Sequence, residues 1–121
     1  MTRPMRYLML ISGDEASWSG SDDETKAVMG QIRDWYARWL PTGKVLPGGA
    51  MLGPAAATRT ITAGGDGRVE VTDGPYVELK DVIGGIVPLE VADADEAVAI
   101  AATWPALGPF RETIEVRPVM N

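Results

Sequence analysis

Asp73-Gly74-Pro75-Tyr76-Val77-Glu78-Leu79-Lys80-Asp81, followed at once by the apolar run Val82 to Val91, decides how this chain is read. Asp-Gly-Pro cannot continue a helix: Gly74 permits positive φ, and Pro75 fixes φ and has no amide to donate. The segment is therefore expected as a bend between two strands. Val82–Val91, the longest apolar run, is expected as the central buried strand. Gly84-Gly85 predicts a bulge or a close approach of another backbone. Pro88 removes a ladder donor, which implies an edge position or a bulge. If the chain runs extended after Pro75, Tyr76, Glu78 and Lys80 point to one side. A phenol, a carboxylate and an ammonium would then converge at a strand entrance.

The neighbouring segments supply the rest of the sheet and its helices. Tyr7 to Ile11 is a β-prone first strand, followed by a polar loop, Ser12 to Ser21, around Trp18. Ser21 and Glu24 have capping-box spacing. Val28, Ile32, Trp35, Tyr36 and Trp39 then recur at helical spacing, and Pro41 and Gly43 end that helix near Leu40. Lys44 to Leu52 is a strand region broken by Pro47-Gly48-Gly49. Thr58–Thr62 and Arg68–Thr72 flank the turn Gly64-Gly65-Asp66-Gly67 and form a β-hairpin. Asp93 to Glu96 opens a second helix that runs to about Thr103, before Trp104-Pro105. Glu112 to Pro118 alternates as a half-buried last strand.

At 121 residues with 45% hydrophobic and 23% charged residues, the chain has the make-up of one soluble domain, residues 1–121. No apolar run approaches the roughly 20 residues that cross a membrane, and the five residues Tyr7 to Ile11 are too few for a signal-peptide core. A cytoplasmic protein is expected. Cysteine and histidine are both absent. That removes disulfides, thiolate metal sites, the commonest zinc and haem ligand and the commonest general base. Neither a metal nor a cofactor is expected. A net charge of −6, with eleven basic residues scattered singly, argues against nucleic acid as a partner.

The order strand, helix, strands, strand, helix, strand is the split βαβ, ferredoxin-like plan. This is an α+β fold with an antiparallel sheet, both helices on one face and an extra β-hairpin. The other sheet face lacks helical cover, so a homodimer is expected.

The residues Met5-Arg6-Tyr7-Leu8-Met9-Leu10-Ile11, Gly13-Asp14-Glu15, Thr72-Asp73-Gly74-Pro75-Tyr76, Glu78, Lys80, Gly84-Gly85, Glu90-Val91, Asp93-Ala94-Asp95-Glu96-Ala97 and Glu115-Val116-Arg117-Pro118 resemble, in order, the YCII-related family in its DGPF-domain branch. The resemblance implies a ferredoxin-like, dimeric α/β barrel related to muconolactone-isomerase-like proteins. It also implies a small protein, often encoded beside extracytoplasmic-function sigma factors, so a sigma factor or another regulator is an expected partner. Some YCII relatives carry a His and an Asp suggested as an active site; this chain has no His, so that pair is not carried over. Tyr76 stands where the branch has Phe, Leu79 where Thr is common, and Pro88 where an ordinary strand residue is common.

Two readings of the Tyr76, Glu78 and Lys80 trio follow. In one, Glu78 is a base, Tyr76 a donor to a developing oxyanion and Lys80 an anion anchor at a pocket mouth. In the other, the segment is a rigid turn with Glu78 and Lys80 as a surface ion pair worth at most ~1 kcal/mol. Asp73, Arg59, Asp14 and Trp18 are candidate ligand-binding residues. Against that, Asp73 also suits a turn, Arg59 an ion pair, and Asp14 a solvated loop. Trp18, odd in a polar loop, is expected to cap a cavity or seal a dimer contact. Trp35, Tyr36 and Trp39 suit core packing as well as an aromatic pocket. Gly48-Gly49 and Gly64–Gly67 match no phosphate-binding fingerprint. The function classes left open are a homodimeric ligand-binding or regulatory module and a cofactor-free enzyme acting by isomerase-like proton transfer on a small organic acid or aromatic.

Overall fold

The strand expected over Val82–Val91 forms as β5 (Asp81–Val91), paired antiparallel with β1 (Met5–Asp14) along nearly the full length of both. The computed structural model describes residues 3–18, 22–75 and 81–120. Two further strands, β2 (Ala50–Met51) against β5 and β6 (Thr113–Pro118) against β1, complete a four-stranded antiparallel sheet in the order β2-β5-β1-β6. Helix α1 (Asp22–Trp39) connects β1 to β2, and α2 (Ala94–Ala101) connects β5 to β6. Between β2 and β5 the chain adds the hairpin of β3 (Arg59–Ala63) and β4 (Val69–Asp73), a two-stranded sheet of its own. Without that hairpin the order is strand, helix, strand, strand, helix, strand, the ferredoxin-like α+β plan.

Two irregularities of β5 have local causes. Ile11 opposes Gly85 while Ser12 opposes Ile83, so Gly84 is the extra residue of a β-bulge. Pro88 sits in a strand with neighbours on both sides, yet its carbonyl accepts from Leu46 N at 2.9 Å. N and C=O of one strand residue point the same way. The missing amide of Pro88 therefore faces the irregular 44–46 segment, and the β1–β5 ladder loses no bond.

The helix ends follow the sequence signals. α1 stops at Trp39, where Leu40–Thr42 tighten into a 3-10 turn closed by Gly43 at φ 75°. Its expected N-cap, Ser21, lies outside the described residues. Asp93 Oδ1 accepts from Glu96 N at 2.9 Å as the N-cap of α2, and Glu96 Oε1 accepts from Ala92 N, one residue before the cap, at 3.0 Å. α2 ends at Ala101 rather than near Thr103. Pro105 disfavours helical backbone at Trp104, and the Thr103 hydroxyl donates to Ile100 O at 2.6 Å across the fraying turn.

Alternation along the strands builds one core. Tyr7, Met9 and Ile11 of β1 and Val87, Leu89 and Val91 of β5 are buried with Val28 and Trp35 of α1 and Ala97, Ile100 and Ala101 of α2. Trp35 stands edge-on to Trp104 and Tyr36, with ring centroids 5.0 and 5.2 Å away, and its Nε1 donates to Thr103 Oγ1 at 2.8 Å. The opposite sheet face carries Leu8, Leu10, Ile86 and Pro88, all half-buried in a single copy. The hairpin holds Ile61, Val69 and Val71 exposed, with Ile61 opposite Val71. No helix among the described residues is long and apolar enough to cross a membrane.

Candidate functional site

α1 and the sheet enclose a cleft of about 550 Å³, within the range of small-molecule sites. Thr25, Met29, Ile32 and Tyr36 line it from α1, and Ile11, Gly84, Gly85 and Val87 from the sheet. The stretch Gly49 to Pro54 crosses one side, while Trp104, Phe110 and Glu112 enter from the segment before β6. The lining is predominantly apolar, with a few polar groups that converge.

The chief polar group is the Glu112 carboxylate. Trp18 Nε1 donates to its Oε2 at 3.0 Å and Trp104 Nε1 to its Oε1 at 2.8 Å. Two indoles far apart in sequence thus hold one half-buried acid by both oxygens. Burial pushes its pKa above the usual glutamate range, and the two indole donors only partly offset this. The local backbone aims the acid. Arg111 adopts φ 51°, while Glu112 N donates to Leu107 O at 3.1 Å and Arg111 N to Gly108 O at 3.2 Å. This is the bonding of a Schellman helix end, with Arg111 in the left-handed position that glycine usually takes.

Trp18 reaches Glu112 because two strand positions lack side chains. It ends the 3-10 turn Glu15–Trp18 that follows β1, and its ring lies over Gly13 and Gly84. A Cβ on Gly13 would stand 3.1 Å from Trp18 Cζ2, and one on Gly84 only 2.5 Å from Cη2. The turn is tied to the far side of the cleft by Glu15, whose Oε2 accepts from Ala55 N at 3.0 Å. On the helix side, a Cβ on Gly49 would come within 3.0 Å of the Tyr36 hydroxyl oxygen, so Gly49 lets that phenol in. Burial pushes the Tyr36 pKa up.

Of the residues singled out from the sequence, Trp18 lines the cleft. Asp14 lies just outside it and accepts from Ala16 N through Oδ1 at 3.0 Å. Arg59 and Asp73 face each other across the open end of the hairpin, Nε to Oδ1 3.8 Å, and both are exposed. Tyr76, Glu78 and Lys80 lie outside the described residues. Gly74 is turned at φ 93°, as its place in the bend requires, and its carbonyl accepts from Thr60 Oγ1 at 2.6 Å. Glu112 and Trp104 were not legible as site residues. Glu112 heads an alternating strand and Trp104 precedes a proline, and no spacing links either to Trp18. Among the described residues no group of three or more His, Cys, Asp or Glu is placed to hold a metal.

The site can seat a small molecule against aromatic and aliphatic walls that carry the carboxyl groups of Glu112 and Glu15 and one phenol. Residues 5–121 match the YCII-related domain family. The chain is also 31% identical over 118 residues to an uncharacterised protein of Rhizobium meliloti (strain 1021), an alignment covering 95% of this chain and 92% of that one. The chain therefore belongs to the YCII-related domain family.

Proposed function

We propose that this YCII-related chain, of the DGPF type, is a homodimeric ligand-binding module whose cleft takes a small, largely apolar organic molecule oriented by Glu112. The observation that carries this is the cleft itself: about 550 Å³ lined by aromatic and aliphatic side chains, with a half-buried carboxylate fixed by two indole donors. The two indole bonds only partly offset the desolvation of that group, so a polar partner bound beside it is favoured. A second copy is favoured by the apolar sheet face of Leu8, Leu10 and Ile86 and by the exposed Ile61, Val69 and Val71 of the hairpin.

The test is a thermal-shift screen of small apolar and aromatic compounds against wild type and Met29→Trp, which fills the cleft from α1. A ligand at 100 times its dissociation constant stabilises the fold by about 2.7 kcal/mol. Hits lost in Met29→Trp support the reading; hits retained there place binding elsewhere. Sedimentation of wild type and Leu10→Glu tests the dimer, which the added charge should dissociate.

The raised pKa of Glu112 favours a second reading, a cofactor-free proton-transfer enzyme. Glu112 would take a proton from one substrate carbon and return it to another, so the isomerisation needs no co-reactant. Turnover abolished in Glu112→Gln with ligand binding retained would select this reading.

A further inference from the structure

Building on the reading of the cleft as a ligand site, we propose that its ligand is an organic cation: a protonated or quaternary amine carried on an apolar or aromatic body. The charged residues among the described lining are Glu15 and Glu112, and neither Lys nor Arg joins them. An organic acid would enter against two carboxylates with no described counter-charge, in a site too apolar to screen the repulsion. A neutral molecule would fill the space and add no counter-charge to the partial compensation that the two indoles give Glu112. A cation offsets that charge directly.

The geometry of Glu112 fits such a partner. Each carboxylate oxygen has two lone pairs, and each spends one on an indole: Oε2 on Trp18 and Oε1 on Trp104. The head group is thus held in one orientation with acceptor capacity left on both oxygens. The walls suit the same chemistry. Trp18, Tyr36, Trp104 and Phe110 put four aromatic rings in the lining, two of them bonded to the acid, and aromatic faces attract ammonium groups in dry sites. Ile11, Met29, Ile32 and Val87 supply aliphatic surface for the body of the molecule. The net charge of −6 raises the local concentration of cations around the whole protein. Because burial holds the Glu112 pKa up, a bound cation pulls it back down, and affinity for the cation rises with pH through that titration.

The test is isothermal titration calorimetry with three probes of one shape: 3-phenylpropylammonium, 3-phenylpropanol and 3-phenylpropanoate. The expected result is that the ammonium binds about tenfold or more tighter than the alcohol, that the propanoate does not bind, and that Glu112→Gln brings the ammonium down to the level of the alcohol. If that variant does not fold, the wild-type pH profile decides, since ammonium affinity should rise with pH while alcohol affinity stays level. Alcohol or propanoate binding as tightly as the ammonium overturns the cation assignment and leaves the ligand site standing. Ammonium binding equally to wild type and Glu112→Gln overturns it as well, as attraction to the acidic surface. No binding by any of the three at about 10 mM overturns both the assignment and the ligand site.

Discussion

A Cβ on Gly84 would stand 2.5 Å from Cη2 of Trp18, so the indole lies on the sheet only because residue 84 has no side chain. Gly84 is also the extra residue of the β5 bulge. The same glycine thus bends the strand and seats the ring that donates to Glu112.

Gly84→Ala should destabilise the protein by about 1–3 kcal/mol, the usual cost of overpacking. In a Trp18→Ala background the added methyl meets no ring, and the same change should cost well under half as much. Urea titrations of the four proteins of this cycle check it. Additive effects would mean that the indole does not occupy this seat.

Glu112 makes wild-type stability fall with pH in a defined window. In the unfolded chain it loses its proton in the ordinary glutamate range; in the fold, burial makes it hold the proton to higher pH. The folded state therefore binds more protons in that interval, and the contribution of Glu112 declines as pH rises through its folded pKa. Glu112→Gln has no such titration. The stability of wild type relative to Glu112→Gln should be largest below the ordinary glutamate value and shrink above it, as urea midpoints across pH would show.

Trp104→Phe removes one of the two donors that hold the Glu112 pKa down. The carboxyl should titrate still higher than in wild type, read by carbon-13 NMR of the side chain. An unmoved titration would show that the Trp104 indole contributes nothing to the Glu112 pKa. The lost bond should also cost about 1.5–3 kcal/mol while Glu112 is ionised.

Glu96 titrates in the opposite sense. The Lys44 ammonium, bonded to its Oε2 at 2.9 Å, and the Ala92 amide on Oε1 hold its pKa below the usual range. Its contribution is present above the ordinary glutamate value and is lost as pH falls through the lowered folded pKa. Glu96→Gln should therefore lose part of the acid sensitivity of the wild type, measured by melting temperature between mildly and strongly acidic buffers.

Arg111 occupies left-handed backbone at φ 51°. Arg111→Val should cost about 1–2 kcal/mol more than Arg111→Gly, because only the β-branched residue is strained there. Equal effects of the two in a urea titration would show that the turn before Glu112 relaxes freely.

Local chemistry and periodicity determined most of the frame from the sequence. The capping signal at Asp93–Glu96, the helical spacing of Val28, Ile32, Trp35, Tyr36 and Trp39, and the stop at Pro41 and Gly43 are near-neighbour effects, readable without knowing the fold. So are the hairpin around Gly64–Gly67 and the apolar run of β5, whose order with the helices identifies the ferredoxin-like plan. Gly84-Gly85 announced a bulge or a close approach of another backbone for the same reason, and the bulge is what forms. The site was decided at longer range. Trp18, Trp104 and Glu112 meet through bonds spanning 94 and 8 positions, and none of the three carries a local sign of the others. Their meeting depends on two tertiary facts: the β1–β5 bulge sets the seat for Trp18, and the left-handed turn at Arg111 precedes Glu112. A desolvated carboxylate is a property of what surrounds it, and those surroundings exist only once the chain has packed.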